Sequence, residues 1–144
     1  IFAHPKWSDI CGPLIVSNAE LMLNGEYSVA ISEYLNHFKE YRNFLITSIL
    51  LPAEQQSKYF RFTITDFDYP FFTISLVKKQ DTYRCAISGC ADSKQFFVSE
   101  GNPNTIISDF KSKCHFNNER GFTGEYLKSR ALVELQRIIQ RIDE

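Results

Sequence analysis

The chain has 144 residues, a net charge of −1 at neutral pH, and a composition that is 44% hydrophobic and 23% charged. This length is typical of a single domain and allows a core to form without metals or disulfides. The hydrophobic content, with only six Gly and five Pro, excludes the disordered and fibrous classes. The balanced charge argues against nucleic acid as a partner, because nucleic-acid-binding domains usually carry a strong basic excess.

The sequence shows no signal-peptide pattern and no apolar run of about 18 residues, the length that a membrane-spanning helix needs. The longest apolar stretch, Phe44 to Leu51, is interrupted by Thr47 and Ser48. Because the first residue is Ile1 and not Met, we expect some N-terminal processing, and removal of a leader stays open. We expect a soluble, cytoplasmic protein that does not bind membranes.

The first third of the chain predicts mainly helix. In residues 1–25, Gly12-Pro13 and Asn24-Gly25 are turn signals, a strand is expected at 14–16 and a brief helix at 17–23. From position 26 the apolar residues recur at three- and four-residue spacing, which is typical of an amphipathic helix. These residues are Tyr27, Ala30, Ile31, Tyr34, Leu35, Phe38, Tyr41 and Leu45. We expect one long helix over about 26–50, which ends before Pro52 because the residue preceding a proline disfavours helical geometry.

Between about 59 and 99 the apolar period falls to two, which indicates half-buried strands. The inward-facing residues of three successive runs are Phe60, Phe62 and Ile64, then Phe72, Ile74 and Leu76, then Tyr83, Cys85 and Ile87. Short turns separate the runs, and this arrangement predicts an antiparallel meander that is covered on one face. Residues 95–99 are a candidate fourth strand.

Two helices are predicted at the end of the chain. Asn102 and Pro103 supply an N-cap and a first-turn proline for a short helix over about 103–113. Thr123 is the expected cap of a last helix over about 124–143. The predicted fold class is therefore α+β: a single domain over 1–144 in which one antiparallel sheet of three or four strands packs against the long helix and the two C-terminal helices.

The four cysteines raise the question of a metal site. Cys85, Cys90, Cys114 and His115 offer three sulfurs and one nitrogen, a donor set that structural zinc sites use. Their spacing lacks the close ligand pairs of such sites, and the strand alternation places Cys85 inside the sheet. We therefore expect no metal, no cofactor, and cysteines that pack in the core. A disulfide is less favoured because nothing indicates secretion, and the redox states of all four, Cys11 included, stay open.

A polar set near position 115 is the main catalytic candidate. His115 and Glu119 could act as general base and acid, while Lys111 and Arg120 could hold a scissile phosphate. This set predicts, as an alternative function, a small RNA-cleaving nuclease or toxin. The same residues fit an ordinary polar loop between two helices, and no nucleotide-binding or hydrolase motif accompanies them. Whether the protein is an enzyme stays open, and we favour a non-enzyme.

The segment from Tyr59 to Phe72 is the most unusual part of the sequence, because aromatic residues occupy half of its positions. Strand alternation explains some of them but leaves a turn that consists of Asp66, Phe67, Asp68 and Tyr69. Asp residues form turns by bonding to nearby backbone. Exposed aromatic residues dominate binding hot spots, and acids attract basic surfaces. We predict that these four residues dock a partner. The alternative is that the turn packs beneath the N-terminal segment.

These observations predict a small, non-enzymatic protein-binding module. In size, single-domain build and lack of a catalytic motif, the chain is similar to the small immunity or inhibitor proteins with which bacteria neutralise toxins. This likeness is one of type and involves no particular residue. Such a protein would occlude its partner, here expected to be another protein with a basic surface. Nucleic acid and membranes are not expected as partners, and a homo-oligomer formed through the aromatic sheet stays open.

Overall fold

A computed structural model describes residues 8–52, 56–91 and 96–144. These residues form five helices and seven strands in two antiparallel sheets, so the α+β class is confirmed and the single sheet is wrong. In chain order the elements are α1 (Cys11–Val16), β1 (Glu20–Leu23), β2 (Tyr27–Ala30), α2 (Ile31–Asn36), α3 (Phe38–Tyr41), β3 (Ile46–Leu50), β4 (Gln56–Phe62), β5 (Phe72–Lys79), β6 (Thr82–Ser88), β7 (Phe96–Gly101), α4 (Pro103–Lys113) and α5 (Gly124–Gln140).

The long helix predicted over 26–50 is wrong, because this region forms a small three-stranded sheet and two short helices. The sheet has the order β2-β1-β3. Asn24 and Gly25 adopt positive φ angles of 53° and 77°, which turn β1 back into β2 as a hairpin instead of starting a helix. In β3, Ile46, Thr47 and Ile49 are β-branched and favour extended structure. The residues 14–16, expected to form a strand, belong to helix α1. The helix expected at 17–23 is also wrong, because its second half forms strand β1.

The larger sheet is the predicted meander, with the strand order β4-β5-β6-β7. Its β5 differs from the prediction of one covered face, because all six residues from Phe72 to Val77 are buried. Ile74 and Leu76 face α4 and α5, whereas Ser75 and Val77 face α1 and the small sheet. The large sheet is therefore the middle of three layers.

Two hydrophobic clusters flank the large sheet. The helix-side cluster joins the sheet to α4 and α5, and its fully buried members include Phe72, Ile74, Leu76, Ile87, Ile106, Phe110 and Leu127. The small-sheet cluster joins α1, β1, β2 and α2 to the other face through Val77, Ala86 and Phe96. Because α1 packs on β5 and β6, the small sheet is attached to the large one by an apolar contact. The prediction of a single domain over 1–144 stays a prediction.

The two C-terminal helices begin at the predicted caps. The Asn102 side chain accepts a hydrogen bond from the backbone N–H of Thr105 at 2.9 Å, and the Thr123 hydroxyl accepts one from that of Tyr126 at 3.2 Å. Each cap satisfies a donor that the first helical turn leaves without an intrahelical partner. None of the described helices combines the length and apolar content needed to cross a membrane.

Candidate functional site

The turn between β4 and β5 is held in place by arginines. We call residues 65–69 the aromatic turn. The Arg61 guanidinium donates to the carbonyl oxygens of Asp66 at 3.2 Å and Asp68 at 2.6 Å, and its Nε contacts an Asp9 carboxylate oxygen at 2.9 Å. Asp68 in turn accepts a bond from the Thr65 N–H at 3.1 Å. One planar guanidinium therefore fixes two carbonyls of the turn, a task that suits its fixed fork of donors.

A second arginine, in the loop before α5, also supports the turn. Arg120 donates to the Tyr69 carbonyl oxygen at 2.8 Å, and its guanidinium lies 3.8 Å from the centroid of the Phe71 ring. Phe71 is buried and packs edge-on against Phe122, with the ring centroids 5.0 Å apart. The backbone of the turn is thus anchored to both β4 and the loop before α5.

The aromatic side chains of this turn point outward although its backbone is anchored. Phe67 is 100% exposed and Tyr69 is 65% exposed, and the neighbouring Ile64 is 62% exposed. An apolar side chain presented in this way on a fixed backbone is a typical contact residue. Asp66 is exposed and Asp68 is half-buried, so acidic groups border the apolar tip.

The catalytic candidates near position 115 stay a prediction, and each of them has contacts in the fold. Arg120 supports the aromatic turn and forms an ion pair with Glu119 at 3.3 Å. The backbone of Glu119 pairs with that of Phe122 in an isolated β-bridge. The His115 carbonyl accepts a bond from the Ala91 N–H at 2.6 Å, and the Lys111 carbonyl accepts one from the Lys128 ammonium at 2.8 Å.

The cysteines separate into a bonded pair and two buried thiols. Cys90 and Cys114 form a disulfide, so the prediction that disfavoured disulfides is wrong for this pair. Cys11 and Cys85 are buried free thiols. Burial raises the pKa of the Cys85 thiol, which keeps it protonated and unreactive at neutral pH. Within residues 8–52, 56–91 and 96–144, no group of three or more His, Cys, Asp or Glu side chains is placed to hold a metal ion.

Two pockets were not foreseen from the sequence. The aromatic pocket has a volume of about 330 Å³ and is lined by Leu23, Tyr27, Ser28, Val29, Glu33, Tyr41 and Phe44. The polar pocket has a volume of about 220 Å³ and is lined by Val16, Asn18, Val77, Lys79, Gln80, Thr82, Arg84 and Glu100. All residues of the aromatic pocket except Leu23 fall within the long helix predicted over about 26–50, where they would be spread along one element. The Asn24-Gly25 hairpin signal was the sequence feature that could have brought them together.

The fold is similar to that of several solved enzymes. Quinoline 2-oxidoreductase from Pseudomonas putida 86 matches with a TM-score of 0.66 and 11% identity, over 97% of this chain and 57% of that one. A carbon monoxide dehydrogenase from Hydrogenophaga pseudoflava, which lacks the Mo-pyranopterin moiety, matches with a TM-score of 0.68 and 13% identity, over 92% and 55%. The cyanide-inactivated Cu,Mo-CO dehydrogenase matches with the same TM-score and identity, over 96% and 57%.

This likeness establishes the fold. At 11–13% identity it establishes nothing more specific, and this chain spans just over half the length of the chains it matches. No protein-family model matches the sequence. No curated protein matches it either.

The function predicted from the sequence is wrong. The fold occurs in oxidoreductases, and the solved structures that it matches here are enzyme chains and not immunity or inhibitor proteins, the type to which size and build had been compared. The same finding replaces the nuclease alternative. The prediction that the partner is another protein with a basic surface is also wrong, because in these enzymes the fold is just over half of a longer chain. A small size and the lack of a catalytic motif are as typical of one domain of a large enzyme as they are of an immunity protein.

Proposed function

We propose that this chain is a structural domain of an oxidoreductase assembly similar to the molybdenum-containing enzymes named above. The observation that carries the proposal is the extent of the likeness, since 92–97% of this chain superposes on 55–57% of those chains. A domain that accounts for only part of a chain buries some of its surface against the remainder. Its role is then to position neighbouring parts of the assembly.

Neither of the two pockets in the described part of the chain fits a molybdenum cofactor. The aromatic pocket offers a single carboxylate and otherwise apolar or hydroxyl groups. The polar pocket, at about 220 Å³, lies below the range of roughly 300–1,000 Å³ typical of ligand sites. The described residues also lack a group of His, Cys, Asp or Glu side chains placed for a metal. The proposal therefore assigns the molybdenum to other parts of the assembly.

The aromatic turn is the surface that we assign to contact with the rest of the assembly. Its residues Asp66, Phe67, Asp68 and Tyr69 are the four that the sequence proposed for docking. Support comes from the full exposure of Phe67 and from the two arginines that fix the backbone beneath it. A fixed backbone lowers the entropy that must be lost on contact.

A cytoplasmic location stays a prediction, and the disulfide between Cys90 and Cys114 argues against it. Disulfides persist mainly in oxidising compartments, and the Cys90–Cys114 bond favours such a compartment.

The proposal is tested by purifying the full-length protein that contains this chain from its native host, through an affinity tag. We expect an assembly much larger than the protein alone, with molybdenum detected by elemental mass spectrometry in fixed proportion to protein. A protein that runs at its own monomer mass and carries no molybdenum would overturn the proposal.

The role of the aromatic turn is tested by Phe67→Ser in the same full-length protein. Because Phe67 is fully exposed, its loss should leave the melting temperature of the unassembled protein unchanged. Loss of a hot-spot aromatic residue should weaken assembly about 30-fold, as measured by mass photometry over a dilution series. Leu45→Ser, at a residue that is 69% exposed beside the small sheet, is the matched control and should assemble normally. Equal assembly of both variants would contradict the assigned surface.

A further inference from the structure

The aromatic pocket combines three inclined rings with one negative charge. The Tyr27 and Phe44 rings are perpendicular, with centroids 6.3 Å apart, and the Tyr41 ring is inclined by 64° to that of Phe44 at 6.1 Å. All three residues line the same pocket, so their rings border it at different inclinations. Among the residues that line the pocket, Glu33 carries the single formal charge.

We propose that the aromatic pocket binds a small organic cation of the alkylated ammonium class. Aromatic faces attract cations through the ring quadrupole, and groups of aromatic rings are a recurring means of recognising quaternary ammonium groups. The volume of about 330 Å³ falls within the range of small-molecule sites and leaves room for such a group.

The carboxylate of Glu33 is held in place by the pocket itself. The Tyr41 hydroxyl donates a hydrogen bond of 3.0 Å to Glu33 Oε1. This hydrogen bond is the main cause that raises the pKa of Tyr41, followed by desolvation and the charges of Glu33 and Glu40, so the phenol stays protonated and continues to donate. The electrostatic environment therefore favours a positive ligand.

The same lining disfavours other classes of ligand. Hard metal ions require six or more oxygen ligands for Ca²⁺ and near-octahedral oxygen coordination for Mg²⁺, whereas this pocket offers one carboxylate among rings and aliphatic groups. An anion would meet the Glu33 charge, and no basic residue lines the pocket to offset it. A neutral apolar ligand would gain the ring contacts but not the attraction to Glu33. Charge is therefore the property that separates the proposed ligand from its alternatives.

The test uses choline and its neutral carbon isostere, in which a tert-butyl group replaces the trimethylammonium group. Both are titrated into the full-length protein that contains this chain, and binding is followed by the relaxation of ligand protons in NMR and by calorimetry. We expect choline to bind in the millimolar range or more tightly. The isostere should bind roughly tenfold more weakly, the factor expected when a cation–π contact at a partly desolvated site is lost.

Two variants locate the binding to this pocket. Glu33→Gln should weaken choline binding roughly tenfold while leaving the weak binding of the isostere unchanged. Glu125→Gln, an exposed residue on α5 with the same change in charge, should bind choline as the unaltered protein does. If Glu33→Gln fails to fold, Tyr27→Leu serves instead, because Tyr27 is 58% exposed and its ring contributes one wall.

Equal binding of choline and its isostere, or an unchanged affinity in Glu33→Gln, would overturn the proposal, as would a lack of choline binding at millimolar concentration. These outcomes concern the pocket alone. They are independent of whether the protein purifies within a molybdenum-containing assembly.

Discussion

Gly12 allows α1 to approach β5 more closely than a residue with a side chain would. A Cβ atom at position 12 would lie 2.6 Å from Ser75 Oγ and 3.4 Å from Phe96 Cε1. The Ser75 hydroxyl is buried and has no hydrogen-bond partner in the described part of the chain. The close contact between α1 and β5 therefore depends on the absence of a side chain at Gly12 and on the small side chain of Ser75.

We predict that Gly12→Ala lowers the free energy of unfolding by about 1 kcal/mol, because the new methyl group forces the Ser75 hydroxyl to move, while the higher helix propensity of Ala offsets part of that cost. Ser75→Ala alone should be neutral or slightly stabilising, since it removes a buried polar group without a partner. In the double variant the overlap is gone, because the distance from the new Cβ to the Cβ of residue 75 is 3.5 Å.

Denaturant unfolding of the four proteins in this cycle measures the coupling between positions 12 and 75. We expect a coupling of about 1–3 kcal/mol, within the range for residues in direct contact. Simple additivity of the two single effects would show that the close approach is not what Gly12 provides.

Some of these residue roles can be predicted from the sequence, and others cannot. Gly12-Pro13 was interpreted as a turn, yet both residues lie in the first turn of α1, where proline is tolerated because its missing N–H has no helical partner there. Period-two alternation places Arg61 between the inward-facing Phe60 and Phe62, and so predicts only that it faces outward. Its bonds to the carbonyls of Asp66 and Asp68 depend on how the turn folds back, and no local pattern encodes that.

At the scale of elements, prediction succeeded where the local signals were specific. The caps at Asn102 and Thr123 fixed the starts of α4 and α5, and period-two alternation located the large sheet. The prediction of a long helix over 26–50 is wrong because the spacing of the apolar residues is ambiguous. Tyr27, Tyr34 and Tyr41 lie seven residues apart, which fits one face of a single helix and fits several short elements equally well. The hairpin between β1 and β2 also pairs with β3, a long-range contact that periodicity does not report.

The disulfide joins the end of β6 to the end of α4, two elements that were predicted separately from strand alternation and from helix capping. Cys90 follows β6, and Cys114 is the residue directly after α4. Gly89, with φ of +85°, sits beside the bond, and a Cβ there would lie 2.3 Å from the Phe71 carbonyl oxygen. The chain thus passes Phe71 closely just before it reaches the bond, which fixes the end of α4 against the large sheet.

Replacing Cys90 and Cys114 by Ala should reduce the free energy of unfolding by about 3 kcal/mol under oxidising conditions. The two residues are 24 positions apart, and releasing a loop of this size restores that much chain entropy to the unfolded state. Urea unfolding with and without a reductant measures the effect. The reductant should lower the stability of the unaltered protein by a similar amount and leave the double variant unaffected. Equal sensitivity of both proteins would contradict the prediction.

At the scale of the whole molecule, the large sheet connects two hydrophobic clusters. Leu21 in the small-sheet cluster and Ile106 in the helix-side cluster are both fully buried. They lie on opposite sides of the sheet and share no direct contact through it. If the two clusters unfold together, a cavity in either one must weaken the same transition.

We predict that Leu21→Ala and Ile106→Ala each lower the free energy of unfolding by about 2–5 kcal/mol, and that both shift one common thermal transition. Calorimetry combined with tyrosine fluorescence measures whether the transitions coincide. Two separate transitions, each shifted by only one of the variants, would contradict a single domain over 1–144. The sequence predicted a single core on one face of the sheet. The second core, and with it the number of cooperative units, depends on the long-range contact of α1 with β5.

The double-sided burial of β5 has a consequence for shortening the chain. One cover of this strand, α1, is encoded before it, and the other cover, α4 and α5, is encoded after it. A truncation from either end therefore strips a face of the same central strand. Loss of α5 uncovers Ile74 and Leu76, and loss of α1 uncovers Ser75 and Val77. Fragments designed for expression should accordingly retain both ends and place any new boundary or tag outside residues 11–140.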